Sequence, residues 1–200
     1  MIYGILLTAG TSSRMGEPKQ LLDWHGQPLV RYIVRQALGS QLDGLIVVTG
    51  AAAEATQAAL ASFDHEESVP VYICYNPQFT DGQATSLQIG LHELPADAEA
   101  ALVLLVDQPL LTPTLINQVI DAYCTANQKP AAVVPTCEGR RGNPVLLDRA
   151  LFAELQALEG DVGARDVLQR HAEQVLWLEL NDQAVLIDMD TPEAYRHLHG

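Results

Sequence analysis

The sequence predicts an α/β fold in which a mostly parallel β-sheet lies between two layers of helices. Two observations support this prediction. Short, almost continuously apolar segments alternate along the chain with longer segments in which apolar residues recur at helical spacing. The segments that separate successive strands are long enough for the crossover connections that parallel neighbours need. A three-layer α/β/α sandwich accounts for both observations, because helices on both faces bury the sheet.

The first strand is predicted at residues 2–8, because this run is almost entirely apolar and ends in a loop of Gly and Ser residues. A helix follows it, between Pro28, which suits a first helical turn, and Gly39, which suits a stop. The same reasoning predicts further strands at residues 45–49, 69–75, 101–106 and 131–136, and further helices at residues 51–63, 84–94 and 114–126. Residues 101–106 form the most apolar strand and are expected at the centre of the sheet.

The pattern becomes looser after residue 143. A short apolar segment is expected at residues 144–147, helices at 149–158 and 162–171, and short strands at 175–180 and 185–187. In a mostly parallel sheet of this kind, ligands bind beyond the carboxyl ends of the strands. The functional site is therefore expected in the loops that follow the first, third and central predicted strands.

The composition is that of one globular domain, expected to span residues 1–200. Of the 200 residues, 48% are hydrophobic and 18% are charged. The formal net charge of -14 argues against nucleic acid and anionic membranes as partners, because both bind through clustered Lys and Arg. Five of the 11 Lys and Arg residues lie in three short Gly-containing segments: Arg14, Lys19, Arg140, Arg141 and Arg165. Gly beside a cation suits a phosphate-binding loop, although chance clustering gives the same pattern.

The cysteines and the N-terminal residues indicate a cytoplasmic protein. Cys74, Cys124 and Cys137 are odd in number and far apart, so they are interpreted as packing thiols in a reducing compartment. No basic side chain precedes the apolar run at residues 2–9, as a secretory signal would require. The longest dense apolar run, residues 100–106, is far shorter than the ~20 residues of a membrane-spanning helix.

The loop after the first strand carries the strongest sequence signal for ligand binding. Gly10 and Gly16 flank three hydroxyl side chains and Arg14, and Lys19 follows shortly after them. This spacing is neither that of a Walker A loop nor that of G-x-G-x-x-G. A long flexible loop with hydroxyls and two cations suits a triphosphate. On composition alone, a solvated surface loop explains these residues equally well.

Residues 7–22 nevertheless resemble the signature loop of the nucleotidyltransferases that make nucleotide sugars and dinucleotide cofactors, and most closely that of the MobA-like branch. Guanylyltransferases of that branch typically have Gly where this chain has Ala9, whereas its cytidylyltransferases have Ala, so the resemblance implies CTP. Thr8 stands where Ala is usual. Five more segments resemble the cytidylyltransferase pattern, in the same order: residues 82–87, 106–109, 139–144, 160–165 and 188–193. Three residues depart from that pattern: Gln83, Val106 and Asn143, of which the last concerns the acceptor side.

The resemblance implies a Rossmann-like nucleotidyltransferase fold and the activity of a molybdenum cofactor cytidylyltransferase. In that reaction CMP passes from CTP to the phosphate of the molybdenum-pterin cofactor, and pyrophosphate is released. The implied metal cofactor is Mg²⁺, and a molybdenum hydroxylase apoenzyme is an implied partner.

The resemblance also assigns roles to individual residues. The implied nucleotide-binding residues are Leu7, Ala9, Gly10, Arg14, Lys19, Thr85 and Ser86. The implied catalytic residues are Arg14, Lys19 and Asp107. Arg140, Arg141 and Arg165 are the implied acceptor-binding residues, and for these three an ordinary charged surface is nearly as good an interpretation.

Two sequence-distant aspartates are candidates for the metal site. Asp107 ends the most apolar strand, where an unpaired charge is costly and therefore needs a partner such as a cation. Mg²⁺ usually takes one or two protein carboxylates and fills its remaining positions with water and substrate phosphates, so a second Asp is expected. By resemblance Asp190 is the better candidate for the second ligand, with Asp188 in support, and the sequence leaves the choice between the two open. The alternative for Asp190 is a helix N-cap, because Thr191 and Pro192 follow it.

Other functions remain open at this point. The same chemistry could use GTP, or a different phosphorylated acceptor such as a sugar phosphate or methylerythritol phosphate. A noncatalytic carrier that binds the finished cofactor and delivers it to a target enzyme is a third hypothesis. Lys19, Asp107 and Asp190 argue against a carrier, because a carrier has no need of a metal-binding triphosphate site.

Overall fold

A computed structural model of the chain describes residues 1–12, 15–61, 69–158 and 164–199. Its strands are β1 (Ile2–Leu7), β2 (Asp23–Trp24), β3 (Gln27–Pro28), β4 (Gly44–Thr49), β5 (Val71–Tyr75), β6 (Ala100–Leu105), β7 (Ala132–Cys137), β8 (Arg140–Arg141), β9 (Val145–Asp148) and β10 (Val175–Glu179). Its α-helices are α1 (Leu29–Leu38), α2 (Ala53–Ala61), α3 (Gln83–His92), α4 (Pro113–Thr125), α5 (Phe152–Gln156), α6 (Ala164–Arg170) and α7 (Pro192–His199). Single 3₁₀ turns lie at Lys19–Leu21, Phe79–Asp81, Arg149–Leu151, Ala172–Gln174 and Gln183–Leu186.

One mostly parallel sheet organises these elements. Its strand order is β10-β7-β9-β6-β1-β4-β5, with β8 paired to the end of β7. β9 runs antiparallel to both of its neighbours, and β8 runs antiparallel to β7, whereas the other pairs are parallel. β6 is the middle strand of this order, which confirms the prediction from its apolar sequence. The short hairpin β2-β3 is a separate two-stranded sheet.

Helices cover both faces of the sheet, which confirms the predicted three layers. Successive side chains of β1 alternate between the faces, so that Ile2 and Leu6 belong to one buried cluster and Ile5 and Leu7 to the other. α1, α2, α4 and α7 pack on the first face, and α3, α5 and α6 on the second. None of the helices in the described part of the chain combines the length and apolar character that a membrane span requires.

The parallel strands bring several polar residues to one edge of the sheet. β1, β4, β5 and β6 all run in the same direction, so their carboxyl ends meet at that edge. Thr8 follows β1, Asn76 follows β5, and the turn containing Asp107 follows β6. The topology therefore gathers residues that lie far apart in the sequence.

Two predictions for the C-terminal third differ from the structure. Residues 185–187, predicted as a strand, lie within and just after the 3₁₀ turn Gln183–Leu186. The side chain of Asp182 accepts a hydrogen bond from the backbone N–H of Ala184, and this local bond favours a turn over a strand. The predicted helix at 149–158 begins as a 3₁₀ turn, and α5 is only five residues long. The predicted helix at 162–171 corresponds to α6, although residues 162 and 163 lie outside the described residues.

The three cysteines are free thiols in different environments. Cys137 is buried and Cys124 is exposed. Cys74 is half-buried, and burial together with the nearby charge of Glu93 raises the pKa of its thiol to about 11. The interpretation of these residues as packing thiols therefore applies to Cys74 and Cys137 but not to Cys124.

We expect only one thiol of the folded protein to react quickly with Ellman's reagent at pH 8. A thiol of pKa about 11 is ~0.1% thiolate at that pH, and a buried thiol is protected, so Cys124 should account for the fast phase. The measurement is the reaction time course before and after denaturation. Cys124→Ser should abolish the fast phase, and a fast phase that survives in this variant would contradict the assignment.

Candidate active site

A cavity of about 480 Å³ lies at the carboxyl edge of the sheet. The loop after β1, the loop between β5 and α3, the end of β6 and the segment before α7 line it. Seven of the sequence-predicted site residues line this cavity: Leu7, Ala9, Gly10, Lys19, Ser86, Asp107 and Asp190. The structure thus brings together residues from four separate parts of the chain.

Lys19 is the central residue of the cavity. Its Nζ donates to Asp107 Oδ2 at 3.1 Å and also to Asp190 Oδ1. The Lys19 side chain is only 12% exposed, and its backbone N–H donates to Ser12 Oγ at 3.0 Å. Burial alone would lower the pKa of the ammonium, but the hydrogen bonds and charges of Asp190 and Asp107 outweigh burial and raise it. Lys19 is therefore held charged between two carboxylates.

The segment before α7 is tied directly to the turn after β6. Met189 is fully buried, and its backbone N–H donates to the carbonyl of Asp107 at 2.7 Å. Gln108 is also fully buried, and its Nε2 donates to Asp188 Oδ1 at 2.8 Å. These two bonds fix Asp190 beside Asp107 although the two residues are far apart in sequence.

The described residues that line the cavity carry an excess of negative charge. Burial raises the pKa of Asp188, and the charges of Asp107 and Asp190 raise it further, although the hydrogen bond from Gln108 opposes the shift. Three carboxylates thus lie near the ammonium of Lys19. The helix cap that was the alternative role for Asp190 is provided by Thr191, whose hydroxyl accepts from the backbone N–H of Ala194 at 3.2 Å.

A buried asparagine organises the opposite wall. Asn76 has no exposed surface, and its Nδ2 donates to the hydroxyls of Thr85 and Ser86, each at 2.9 Å. Ser86 lines the cavity, whereas Thr85 does not, and the Thr85 hydroxyl donates to the carbonyl of Gly82 at 2.8 Å. Sequence reasoning missed Asn76 and treated Gln108 only as part of a motif. Asn76 directly follows β5, and Gln108 follows the turn at the end of β6. Their positions at the ends of strands were the sequence signal by which these two residues could have been found.

A second cavity, of about 330 Å³, adjoins the first and shares Leu7, Gln83 and Leu105 with it. Arg141 and Arg165 line it, and most of its remaining wall is apolar. Burial and the charge of Arg165 lower the pKa of Arg141, so these two guanidinium groups are close enough to repel each other. An anion between them would relieve this repulsion.

Of the predicted site residues that the structure describes, Thr85 and Arg140 line neither cavity. Arg140 is exposed on β8. Arg14 lies outside the described residues, as does part of the segment 160–165.

Comparison with known proteins identifies relatives along nearly the whole chain. The family model "MobA-like NTP transferase domain" matches residues 4–175. Nicotine blue oxidoreductase of Paenarthrobacter nicotinovorans is 30% identical over 96% of this chain and 93% of that protein. Purine catabolism protein PucB of Bacillus subtilis is 29% identical over 97% and 94%. Molybdenum cofactor cytidylyltransferase of Escherichia coli is 22% identical over 96% and 92%.

Solved structures show the same similarity in three dimensions. The crystal structure of Rv0371c from Mycobacterium tuberculosis has a TM-score of 0.81 and 29% identity, covering 98% of this chain and 97% of that chain. A complex of the same protein with manganese has a TM-score of 0.77 and 28% identity, covering 99% and 97%. The Rossmann-like nucleotidyltransferase fold is thereby confirmed.

We expect Gln108→Leu to lower the free energy of unfolding by about 1–2 kcal/mol at pH 7, because Asp188 loses a buried amide donor. The folded state already binds the Asp188 proton more tightly than the unfolded chain. This carboxyl therefore favours folding most at low pH, and the contribution disappears as the pH rises through its folded-state pKa. The loss should accordingly be smaller at pH 4 than at pH 7, because protonation removes the charge of Asp188 that the amide stabilises.

Urea unfolding at the two pH values measures this effect. Adding Asp188→Asn to the Gln108→Leu variant removes the charge and should restore most of the stability at pH 7. A loss that is equal at both pH values, and that the second substitution does not reduce, would show that Gln108 acts only through packing.

Proposed function

This chain belongs to the MobA-like NTP transferase family, and we propose that its reaction is the transfer of CMP from CTP to the phosphate of the molybdenum-pterin cofactor. The family makes the chain a nucleotidyltransferase, whereas the base and the acceptor are our proposal. The observation that carries it is the contact of Lys19 with Asp107 and Asp190 inside the main cavity. The glycine-containing loop, which is the loop after β1, lines this cavity. This arrangement combines a cation for phosphates with two carboxylates for a metal ion.

Two observations support CTP as the nucleotide. Ala9 is buried in the wall of the cavity, at the position where the resemblance separates cytidylyl- from guanylyltransferases. The relative from Escherichia coli, which is similar along 96% of this chain, is named a cytidylyltransferase. Another relative is named an oxidoreductase, so turnover has to be measured directly.

The proposed chemistry is an in-line displacement at the α-phosphorus of CTP. An oxygen of the acceptor phosphate forms a new bond to this phosphorus. The bond from the α-phosphorus to the oxygen shared with the β-phosphate breaks, and its electron pair leaves with pyrophosphate. The attacking phosphate is already an anion, so no general base is needed. Lys19 and Arg14 offset the negative charge that accumulates on the phosphates.

Asp107 and Asp190 fit a divalent cation, and Mg²⁺ is the proposed ion. Their carboxylates converge on one ammonium, and Asp188 adds negative charge beside them. Within the described residues there is no cluster of three or more His, Cys, Asp or Glu side chains that could hold a metal. Water and substrate phosphates must complete the shell, as Mg²⁺ prefers. A bound ion would neutralise phosphate charge. Manganese occupies a solved structure that is similar to this chain.

The second cavity is the proposed site of the acceptor. Its apolar wall suits a ring system, and Arg141 and Arg165 suit a phosphate. Arg140 would act from the rim, because it lines neither cavity. The two cavities share a wall, so an acceptor phosphate in the second could reach the α-phosphorus of a nucleotide in the first.

We expect pyrophosphate release from CTP to exceed that from GTP by about 10-fold or more when molybdenum-loaded pterin cofactor and Mg²⁺ are supplied. A difference of this size needs ~1.4 kcal/mol of discrimination between the two bases. A coupled pyrophosphate assay with ATP, CTP, GTP and UTP makes the measurement. A sugar phosphate and methylerythritol phosphate serve as competing acceptors. If no nucleotide turns over with any of these acceptors, the carrier hypothesis replaces this proposal.

We expect Asp107→Asn to reduce turnover by about 10²-fold or more, because it removes a charged metal ligand without changing the size of the side chain. Its circular dichroism spectrum should remain that of the unsubstituted protein. Asp43→Asn is the matched control, since Asp43 lies at the opposite edge of the sheet and an amide oxygen can still accept from the N–H of Ile2. If Asp107→Asn is as active as Asp43→Asn, Asp107 has no role in the reaction.

A further inference from the structure

We propose that Lys19 is an internal counter-cation, which lies between Asp107 and Asp190 in the absence of substrate and moves to the triphosphate when metal and nucleotide bind together. The inference rests on the proposed function and adds a binding order to it. The metal binds weakly on its own, and the nucleotide makes its binding favourable. Lys19 is the residue that couples the two.

The first step is the electrostatics of the cavity without substrate. Asp107 and Asp190 face each other across the Lys19 ammonium, and Asp188 lies nearby. Partly buried carboxylates of this kind need a positive partner. Lys19 provides it from a side chain that is only 12% exposed, through the contacts of its Nζ with both carboxylates. The site is therefore already neutralised in part before any metal arrives.

The second step is competition. Lys19 Nζ contacts Asp107 Oδ2 and Asp190 Oδ1, and these are oxygens that a metal at this position would use. A metal ion that arrives alone must break both ion pairs and leave the largely buried ammonium without its two carboxylate partners. Two aspartates provide few ligands in return, because no group of three metal-binding side chains occurs among the described residues. Free metal is therefore expected to bind weakly.

The third step is the effect of the triphosphate. The backbone of Lys19 is fixed by the bond from its N–H to Ser12 Oγ, so the flexible four-carbon stem can move while its base stays in place. Gly10 and Ser12 line the same cavity on the side of the glycine-containing loop. Phosphates bound there would give the ammonium new anionic partners and release the carboxylates to the metal. By linkage, metal and nucleotide then strengthen each other's binding.

The test uses Mn²⁺ as the probe, with free Mn²⁺ measured by electron paramagnetic resonance. Without nucleotide, Lys19→Met should bind Mn²⁺ at least ~10-fold more tightly than the unsubstituted protein, because the competing cation is gone. Adding Asp107→Asn to this variant should abolish the gain. Lys19→Gln removes the same charge and serves if the Met variant does not fold.

At saturating Mn²⁺, both Lys19 variants should bind α,β-methylene CTP about 10-fold more weakly than the unsubstituted protein. One substitution thus raises the affinity for Mn²⁺ and lowers the affinity for the nucleotide.

The matched control is Lys129→Met. Lys129 also contacts two carboxylates, Glu99 at 3.1 Å and Asp148 at 3.8 Å, but Lys129 and Glu99 are more than half exposed. Its loss changes the net charge equally and should leave Mn²⁺ affinity nearly unchanged. The inference is overturned if the Lys19 variants bind Mn²⁺ no more tightly than the unsubstituted protein, or if Lys129→Met gains as much. If both shifts in affinity are found but the protein turns over no nucleotide, the proposed function fails, whereas the inference about Lys19 in nucleotide binding stands.

Discussion

The ion pairs of Lys19 with Asp107 and Asp190 are the constraint on which the candidate site depends. They join residues 88 and 171 positions apart in the sequence, so they exist only when the whole sheet is assembled. Asp107 follows β6, the middle strand of the sheet. The backbone hydrogen bond from Met189 to Asp107 holds the segment before α7 beside it. The assembled fold therefore gathers these charges in one cavity, which no single segment of the chain could form.

Much of the fold could be predicted from the sequence, because its signals are local. The apolar runs of β1, β4 and β6 indicated buried parallel strands, and Pro28 and Gly39 marked the ends of α1. Prediction failed for the strand expected at residues 185–187, because the hydrogen bond from the Ala184 N–H to Asp182 favours the 3₁₀ turn Gln183–Leu186. It also could not show that β9 runs antiparallel, since strand direction depends on distant pairing.

The candidate site could be predicted only in part, for a related reason. Lys19, Asp107 and Asp190 were identified because each stands at a conspicuous position in a motif. Asn76 and Gln108 were not, because their importance lies in buried contacts with side chains from other parts of the chain. Composition and spacing report which groups a chain contains, whereas supporting hydrogen bonds are properties of the assembled structure.

Two of the unpaired polar side-chain atoms in the described residues lie at or beside the main cavity. Four buried side-chain atoms have no hydrogen-bond partner among the described residues, and they belong to Gln20, Trp24, Thr56 and Gln108. Gln20 lines the main cavity, and Gln108 holds Asp188 beside it. Each such atom costs about 1–3 kcal/mol. An apolar residue at position 108 would avoid that cost but would leave Asp188 without its amide donor, so the hydrogen bond to Asp188 outweighs the unpaired oxygen of Gln108.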